Sequence, residues 1–231
     1  SVAVAGGAGH SADLMISWTS DEMRLFPTPS ANTVGREGLI RWTRKMLTQR
    51  MGSDPGEERT RQLVEFYADL LGGSPAGTDL WAAISTDGIM RLPARRIADA
   101  HAPSASNTYA TEFAWSGPAV EGEWDRGCFH AIDLPFTFGT LDVAGWREFL
   151  NAGSDAYDVS RALMHAHAEF AADGKASAPE GGSWPQYETT KRQTVVFDTP
   201  CHTADDPLAS IAQAWEGLWS PACRAPALDL T

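Results

Sequence analysis

Two polar segments of the sequence contain side chains that could do chemistry at an active site. In the first, residues 18–26 (WTSDEMRLF), Asp21 and Glu22 come directly after a mostly apolar run. A carboxylate that follows a core strand lies where α/β sheets place their site residues, so either acid is a candidate. The alternative is that both are acids of a loop or of a helix N-cap.

The second segment is residues 127–136 (GCFHAIDLPF), in which His130 stands in an otherwise apolar run after a glycine-containing loop. Histidine is the usual general base of enzymes because its unperturbed pKa lies near neutrality. The alternative is a packed, hydrogen-bonded core histidine. Two other histidines, His165 and His167, are two apart on a predicted helix, so they point in different directions and do not form a metal-binding pair.

Alternating strands and helices are expected to position these two segments. Apolar and β-branched runs predict strands at 13–18, 107–115 and 193–198. Helical spacing predicts helices within 36–71, 78–100, 156–172 and 207–219. We expect Pro93 to bend or divide the second of these regions and Gly174 to end the third. The alternation predicts an α/β fold, and three strands are so few that we expect other strands to complete the sheet.

The composition excludes several classes of partner. The 231 residues carry a formal net charge of −12, with 30 Asp and Glu against 18 Lys and Arg. A chain this acidic is a poor match for phosphate backbones and anionic membrane surfaces, so we expect no nucleic acid and no membrane as partner. No window approaches the roughly 18 apolar residues that a membrane-spanning helix needs. The densest basic group has helical spacing and is interpreted as a solvated helix face; it consists of Arg41, Arg44, Lys45 and Arg50.

The three cysteines, Cys128, Cys201 and Cys223, do not indicate a metal site. None of them lies at a spacing typical of zinc ligands, so we expect neither a metal nor another cofactor. A disulfide between Cys201 and Cys223 and a set of buried thiols both remain open.

Five blocks of the sequence, taken in order, resemble one family. Residues 18–26 and 127–142 (GCFHAIDLPFTFGTLD) resemble the glutamate and histidine motifs of type-B carboxylesterases, the cholinesterase-like group. Three further blocks agree with the same family in order and spacing: 86–102 (TDGIMRLPARRIADAHA), 107–115 (NTYATEFAW) and 169–198. The resemblance covers nearly the whole chain and is weakest in 27–78 and after about residue 220.

The resemblance implies a fold and a division of the chain. The fold is α/β, the C-terminal part of an α/β-hydrolase, with a central, mostly parallel sheet flanked by helices and completed by an N-terminal half. Residues 1–26 would form a core strand and the turn of the catalytic acid. Residues 27–80 would form a helical lid or substrate-pocket region, and residues 81–231 the C-terminal part of the core.

The resemblance also implies roles for individual residues. Glu22 would be the acid of a Ser-Glu-His triad and His130 its general base. Leu134, Phe136 and Phe138 would lie near the substrate pocket, with simple core packing as the alternative for each. The apolar character of these side chains favours hydrophobic or aromatic carboxylic esters as substrates, with carbamates or aryl amides as variants. Asp133 departs from the family, which commonly has Glu at this position.

A nucleophilic serine in a G-x-S-x-G turn is missing from the 231 residues. The nearest string, residues 9–13 (GHSAD), has Asp in place of the second glycine and aligns with the family segment before the glutamate strand. The first residues do not have the features of a natural start. We therefore expect an N-terminal half of the same esterase to supply the serine and the oxyanion hole, and this polypeptide alone to be inert. The alternative is a non-catalytic cholinesterase-like interaction module, but the retained Glu22 and His130 favour the enzyme.

Overall fold

The structure of the chain, a computed structural model, describes residues 2–118, 127–143, 145–178 and 182–218. Within them lies a single sheet of four strands in the order β1-β2-β3-β4: β1 (Leu14–Thr19), β2 (Thr108–Phe113), β3 (Thr194–Phe197) and β4 (His202–Ala204). The pairs β1–β2 and β2–β3 are parallel, and β4 is antiparallel to β3. The three predicted strands are confirmed. The pattern did not predict β4, which is only three residues long and largely exposed, so no apolar run marks it.

Helices occupy the connections between the parallel strands, as parallel pairing requires. Between β1 and β2 the chain forms α2 (Gly35–Met51), α3 (Glu57–Leu70), α4 (Gly77–Thr86) and α5 (Leu92–His101). Between β2 and β3 it forms α6 (Leu134–Thr137), α7 (Trp146–Phe149) and α8 (Ser154–Asp173). Two further helices lie near the ends of the described chain, namely α1 (Val2–Ala5) and α9 (Ala209–Ala214).

The helix interruption predicted at Pro93 and the helix end predicted at Gly174 both lie close to where the structure has them. The helix predicted over 78–100 is interrupted by a π-helical turn, Asp87–Arg91, which separates α4 from α5 just before Pro93. Gly174 ends α8 in the left-handed conformation, with φ of 74° and its N–H bonded to the Phe170 carbonyl at 2.9 Å. The prediction of a final helix over 207–219 is wrong in extent, because α9 begins after Pro207 and ends at Ala214.

The sheet separates two buried apolar clusters. One cluster joins Trp18 of β1 and Ala110 of β2 to α2–α5 and α9. The other joins Phe113 of β2 and two side chains of β3, Val195 and Phe197, to α6 and α8. A sheet with helices packed on both faces is the α/β architecture expected from the alternation of elements.

The predicted basic helix face lies on α2. Arg41 and Lys45 are exposed, and Arg44 pairs with Asp54 at 2.5 Å. No helix in the described part of the chain has both the length and the apolar character needed to cross a membrane.

Candidate active site

Glu22 begins a short 3-10 turn, Glu22–Leu25, directly after β1. Its side chain is buried, with a relative exposure of 5% for the residue. The carboxylate oxygen Oε1 accepts a hydrogen bond from the Thr19 N–H at 2.8 Å. This bond fixes the carboxylate to the strand that precedes it. Glu22 thus lies at the carboxyl end of a parallel strand, which is the position expected for a site residue of an α/β sheet.

The loop that carries His130 is held against this turn by two main-chain hydrogen bonds and one hydrogen bond to a side chain. The Asp21 N–H donates to the Cys128 carbonyl at 3.0 Å, and the Cys128 N–H donates back to Asp21 Oδ2 at 3.1 Å. The His130 N–H donates to the Glu22 carbonyl at 3.1 Å. Gly127 has a φ of 52°, and a Cβ there would lie 2.6 Å from Arg24 Cδ, so a residue without a side chain fits this approach.

These contacts bring the Glu22 and His130 side chains together. Glu22 Oε2 lies 2.5 Å from His130 Nδ1, although the two residues are 108 positions apart. With Glu22 ionised, the bond requires the imidazole proton at Nδ1, which leaves the Nε2 lone pair available to accept a proton. The His130 side chain is 42% exposed, whereas that of Glu22 is 7% exposed. The pair therefore has the geometry of an acid and base in which the acid orients the base.

Asp21, the other candidate acid, has a different position from Glu22. Its carboxylate bonds the histidine loop at Cys128 and lies 3.5 Å from the Arg24 guanidinium. It is thus a link between the two segments of the site rather than a partner of His130. The residue types alone made both adjacent acids candidates, and the resemblance to the family's glutamate motif singled out Glu22.

The three predicted substrate contacts differ in exposure. Phe136 is fully buried, with its ring 4.8 Å from that of Phe113 and 4.9 Å from that of Trp115, so it packs in the core. Leu134 and Phe138, on the same short helix or at its end, are 50% and 70% exposed. Of the three predicted contacts, only Leu134 and Phe138 therefore expose apolar surface.

Phe26 is an apolar side chain of the site that sequence reasoning did not single out. It is half exposed, and its ring centroid lies 6.0 Å from that of His130. It also lines an open depression of about 220 Å³ beside the acid turn, together with Met23, Pro27, Trp81 and others. Its position at the end of the motif DEMRLF was the only available signal.

Two further ionisable groups lie near the pair: Asp133 is half-buried and Cys128 is buried. Burial raises the pKa of Asp133, and the negative charge of Glu22 raises it further, while His167 and His130 lower it. Burial also raises the pKa of the Cys128 thiol, which donates to the Phe113 carbonyl at 2.8 Å. Among the described residues, no group of three or more His, Cys, Asp or Glu side chains could hold a metal ion. Cys223 lies outside the described residues, so the Cys201–Cys223 alternative is untested.

The fold and the site together define an α/β-hydrolase, in which an acid follows one parallel strand and a histidine lies in a later loop. The carboxylesterase family model matches residues 3–214. The chain therefore belongs to the carboxylesterase family.

Individual relatives agree with this assignment. The chain is 27% identical over 205 residues to the para-nitrobenzyl esterase of Bacillus subtilis (strain 168), an overlap of 89% of this chain and 38% of that protein. A solved PNB esterase has 26% identity and a TM-score of 0.72, over 91% of this chain and 39% of that one. A carboxylesterase of Geobacillus stearothermophilus has the same fold, with 24% identity and a TM-score of 0.75 over 93% of this chain and 42% of that one. The chain thus spans about two fifths of the length of these relatives.

Proposed function

We propose that this chain supplies the acid, Glu22, and the general base, His130, of a serine carboxylesterase. The observation that carries the proposal is the 2.5 Å contact between Glu22 Oε2 and His130 Nδ1, in a histidine whose side chain is 42% exposed. A buried carboxylate that orients a partly exposed histidine is the arrangement that activates a hydroxyl nucleophile.

In the proposed reaction, His130 Nε2 takes the proton of a serine hydroxyl as that oxygen attacks the ester carbonyl. Glu22 holds the proton of Nδ1 in place and stabilises the imidazolium that forms. The imidazolium then gives its proton to the leaving alcohol, and the acyl-enzyme remains. Water repeats the sequence, with His130 again as base, and releases the carboxylic acid.

An N-terminal half of the same esterase is proposed to supply the serine and the oxyanion hole. The absence of a G-x-S-x-G turn from these 231 residues supports this division, as does the two-fifths coverage of the relatives. We further propose that the chain is inactive without that half, because a base without a nucleophile has no hydroxyl to activate.

Hydrophobic or aromatic esters are the proposed substrates. Phe26, Leu134 and Phe138 are exposed apolar side chains in or next to the segments that carry the pair, and such walls favour apolar acyl or alcohol groups. One of the relatives is named a para-nitrobenzyl esterase, which is consistent with an aryl-containing ester.

A fluorophosphonate probe, which reacts with activated serines, tests the proposal. The probe is added to this chain together with the N-terminal half, and to this chain alone, and denaturing mass analysis finds the labelled polypeptide. We expect the N-terminal half to take up one probe equivalent and this chain none. His130→Ala should slow labelling by on the order of 1,000-fold or more, since members of a triad act as a unit.

His202→Ala is the matched control, because His202 is an exposed histidine of β4, at the edge of the described sheet. It should leave the labelling rate unchanged. Labelling that survives His130→Ala would refute the role of His130 as base. If neither polypeptide is labelled, the chain is part of a non-catalytic binding module and the proposed activity fails.

A further inference from the structure

One helical segment makes side-chain contacts to the backbone on both sides of the catalytic acid. Thr86, the last residue of α4, accepts the Met23 N–H at its Oγ1 at 3.0 Å. Arg91, the last residue of the π turn, donates from Nη1 to the Ser20 carbonyl at 3.3 Å. The two contacts therefore lie on either side of Glu22: Met23 is one residue after it and Ser20 is two residues before it.

The π turn explains how two residues five apart reach the same loop. In an α-helix, positions five apart point about 140° away from each other around the axis. Here the Leu92 N–H bonds the Asp87 carbonyl, the i→i+5 pattern of a π turn, which widens the helix locally and turns residue 91 back towards the side of Thr86. Such turns are rare and are frequently found at functional sites.

The guanidinium of Arg91 is itself held by buried groups. Asp87 Oδ1 lies 3.4 Å from its Nε, and Glu112 Oε1 of β2 lies 3.4 Å from its Nη2. Tyr67 donates to Asp87 Oδ2 at 2.6 Å and accepts the Trp215 indole N–H at 2.8 Å. A buried ion group of this kind is weak evidence for stability, since apolar side chains often do as well in its place. Because Arg91 of this group also bonds the backbone beside Glu22, we interpret the group as one that positions that backbone.

We propose that Thr86 and Arg91 are positioning residues, which fix the backbone on either side of Glu22 and thereby the imidazole of His130. Both carboxylate oxygens of Glu22 are engaged, by the Thr19 N–H and by His130, so a displaced turn would move the histidine with it. The inference rests on the proposed function. A displacement of even 1 Å at a reacting group can cost about 100-fold in rate.

Thr86→Val is the sharpest test, because it removes the acceptor of the Met23 N–H at nearly constant volume, and Thr86→Ser is its matched rescue. In the esterase assembled from both halves, we expect Thr86→Val to lower kcat on the order of 10-fold with KM nearly unchanged. We expect Thr86→Ser to restore kcat. Arg91→Lys keeps a charge for the two carboxylates but lacks the planar fork that also reaches Ser20, so it should lower kcat in the same way.

Two readouts separate positioning from a merely structural effect. The proton NMR resonance of the His130 Nδ1–H, bonded to Glu22, should shift or broaden in Thr86→Val and return in Thr86→Ser. In a Glu22→Gln background, Thr86→Val should cause no further loss of kcat, because the residue acts through Glu22.

A wild-type resonance and wild-type kcat in Thr86→Val would overturn the positioning role. So would a full additional loss in the Glu22→Gln background. Failure of the proposed function has a different signature, namely a Glu22→Gln esterase that is as active as the wild type. The NMR readout needs no hydrolysis, so it decides the positioning role in that case as well.

Discussion

Glu22 connects the edge of the sheet to the proposed general base. The Leu14 and Ser20 N–H groups bond carbonyls on the β2 side, at Asn107 and Phe113, and N–H groups alternate in direction along a strand. The Thr19 N–H therefore points away from β2, and Glu22 Oε1 accepts it. One carboxylate thus satisfies a backbone donor of β1 and orients His130, so the position of the acid follows that of the strand.

Phe136 and Phe138 show how two like residues at neighbouring positions come to have different roles. Phe136→Ala should lower the free energy of unfolding by about 3–5 kcal/mol, because it leaves a cavity among packed aromatic rings. Phe138→Ala should change it by less than about 0.5 kcal/mol, because the side chain is 70% exposed. Urea unfolding of the two variants measures the difference.

Phe138→Ala also tests the proposed substrate surface. In the assembled esterase, Phe138→Ala should raise KM for an aryl ester more than for an ethyl ester of the same acid. Equal KM changes for both esters would show that Phe138 is not part of the substrate surface.

For the stability prediction, a small loss in Phe136→Ala would contradict the assignment of Phe136 to the core.

Among the secondary-structure elements, the π turn and β2 together bury two carboxylates around one guanidinium. Asp87 and Glu112 are nearly inaccessible to solvent, and Arg91 lies between them. Burial raises the pKa of both carboxyls, with Arg91 opposing the shift and Asp21 adding to it. The folded protein therefore holds these protons more tightly than the unfolded chain does.

The consequence is a stability that depends on pH in a definite direction. A carboxyl whose pKa is raised on folding favours the folded state at pH below its unfolded value of about 4, and this contribution is lost as pH rises through the folded value. Glu112→Gln removes the titration and keeps an acceptor for Arg91. We expect the melting temperature of the variant to rise relative to that of the wild type as pH rises from 4 to 8. The size of this gain depends on how far folding raises the pKa of Glu112.

Glu188→Gln is the control for this measurement, since Glu188 is exposed and the substitution is the same. Its melting temperature relative to the wild type should not change over that pH range. A Glu112→Gln difference that is constant with pH, or that falls as pH rises, would show that Glu112 is ionised in the fold without penalty.

At the scale of the whole molecule, β1 lies at an edge of the described sheet, since β2 is its only partner in the strand order. By the same alternation, the Met15 and Ser17 N–H groups point away from β2. Exposed apolar side chains also surround the site, including those of Leu25, Phe26 and Leu134. An edge strand and an apolar surface of this kind suit the proposed N-terminal half, which would extend the sheet from β1.

Hydrogen exchange of single amides tests this assembly. The Met15 and Ser17 amides should exchange quickly in this chain alone and become protected when the N-terminal half is added, because a neighbouring strand would accept them. The Ala110 amide of the central strand is the internal reference and should be protected in both samples. Equal protection of Met15 and Ser17 with and without the N-terminal half would exclude pairing at this edge.

The sequence by itself determined the local elements and the order of the site residues. The apolar runs of β1, β2 and β3 and the helix stop at Gly174 depend on residues next to one another, so their patterns were sufficient. The motif residues around Glu22 and His130 carried the family, because residue types at a fixed spacing retain that information without a structure. The three-residue strand β4 had no such pattern.

The resemblance paired Glu22 with His130, but only the tertiary structure decided the contacts that each site residue makes. Asp21 and Glu22 are adjacent acids, and a single 3-10 turn sends one to Cys128 and the other to His130, more than 100 positions along the chain. Phe136 and Phe138 likewise differ only in which side of a short helix meets the sheet. The contacts of Thr86 and Arg91 arise from a π turn that the hydrophobic periodicity of the sequence did not predict. In each case the outcome depends on packing between distant segments, and the local sequence does not encode the direction in which a neighbouring segment will lie.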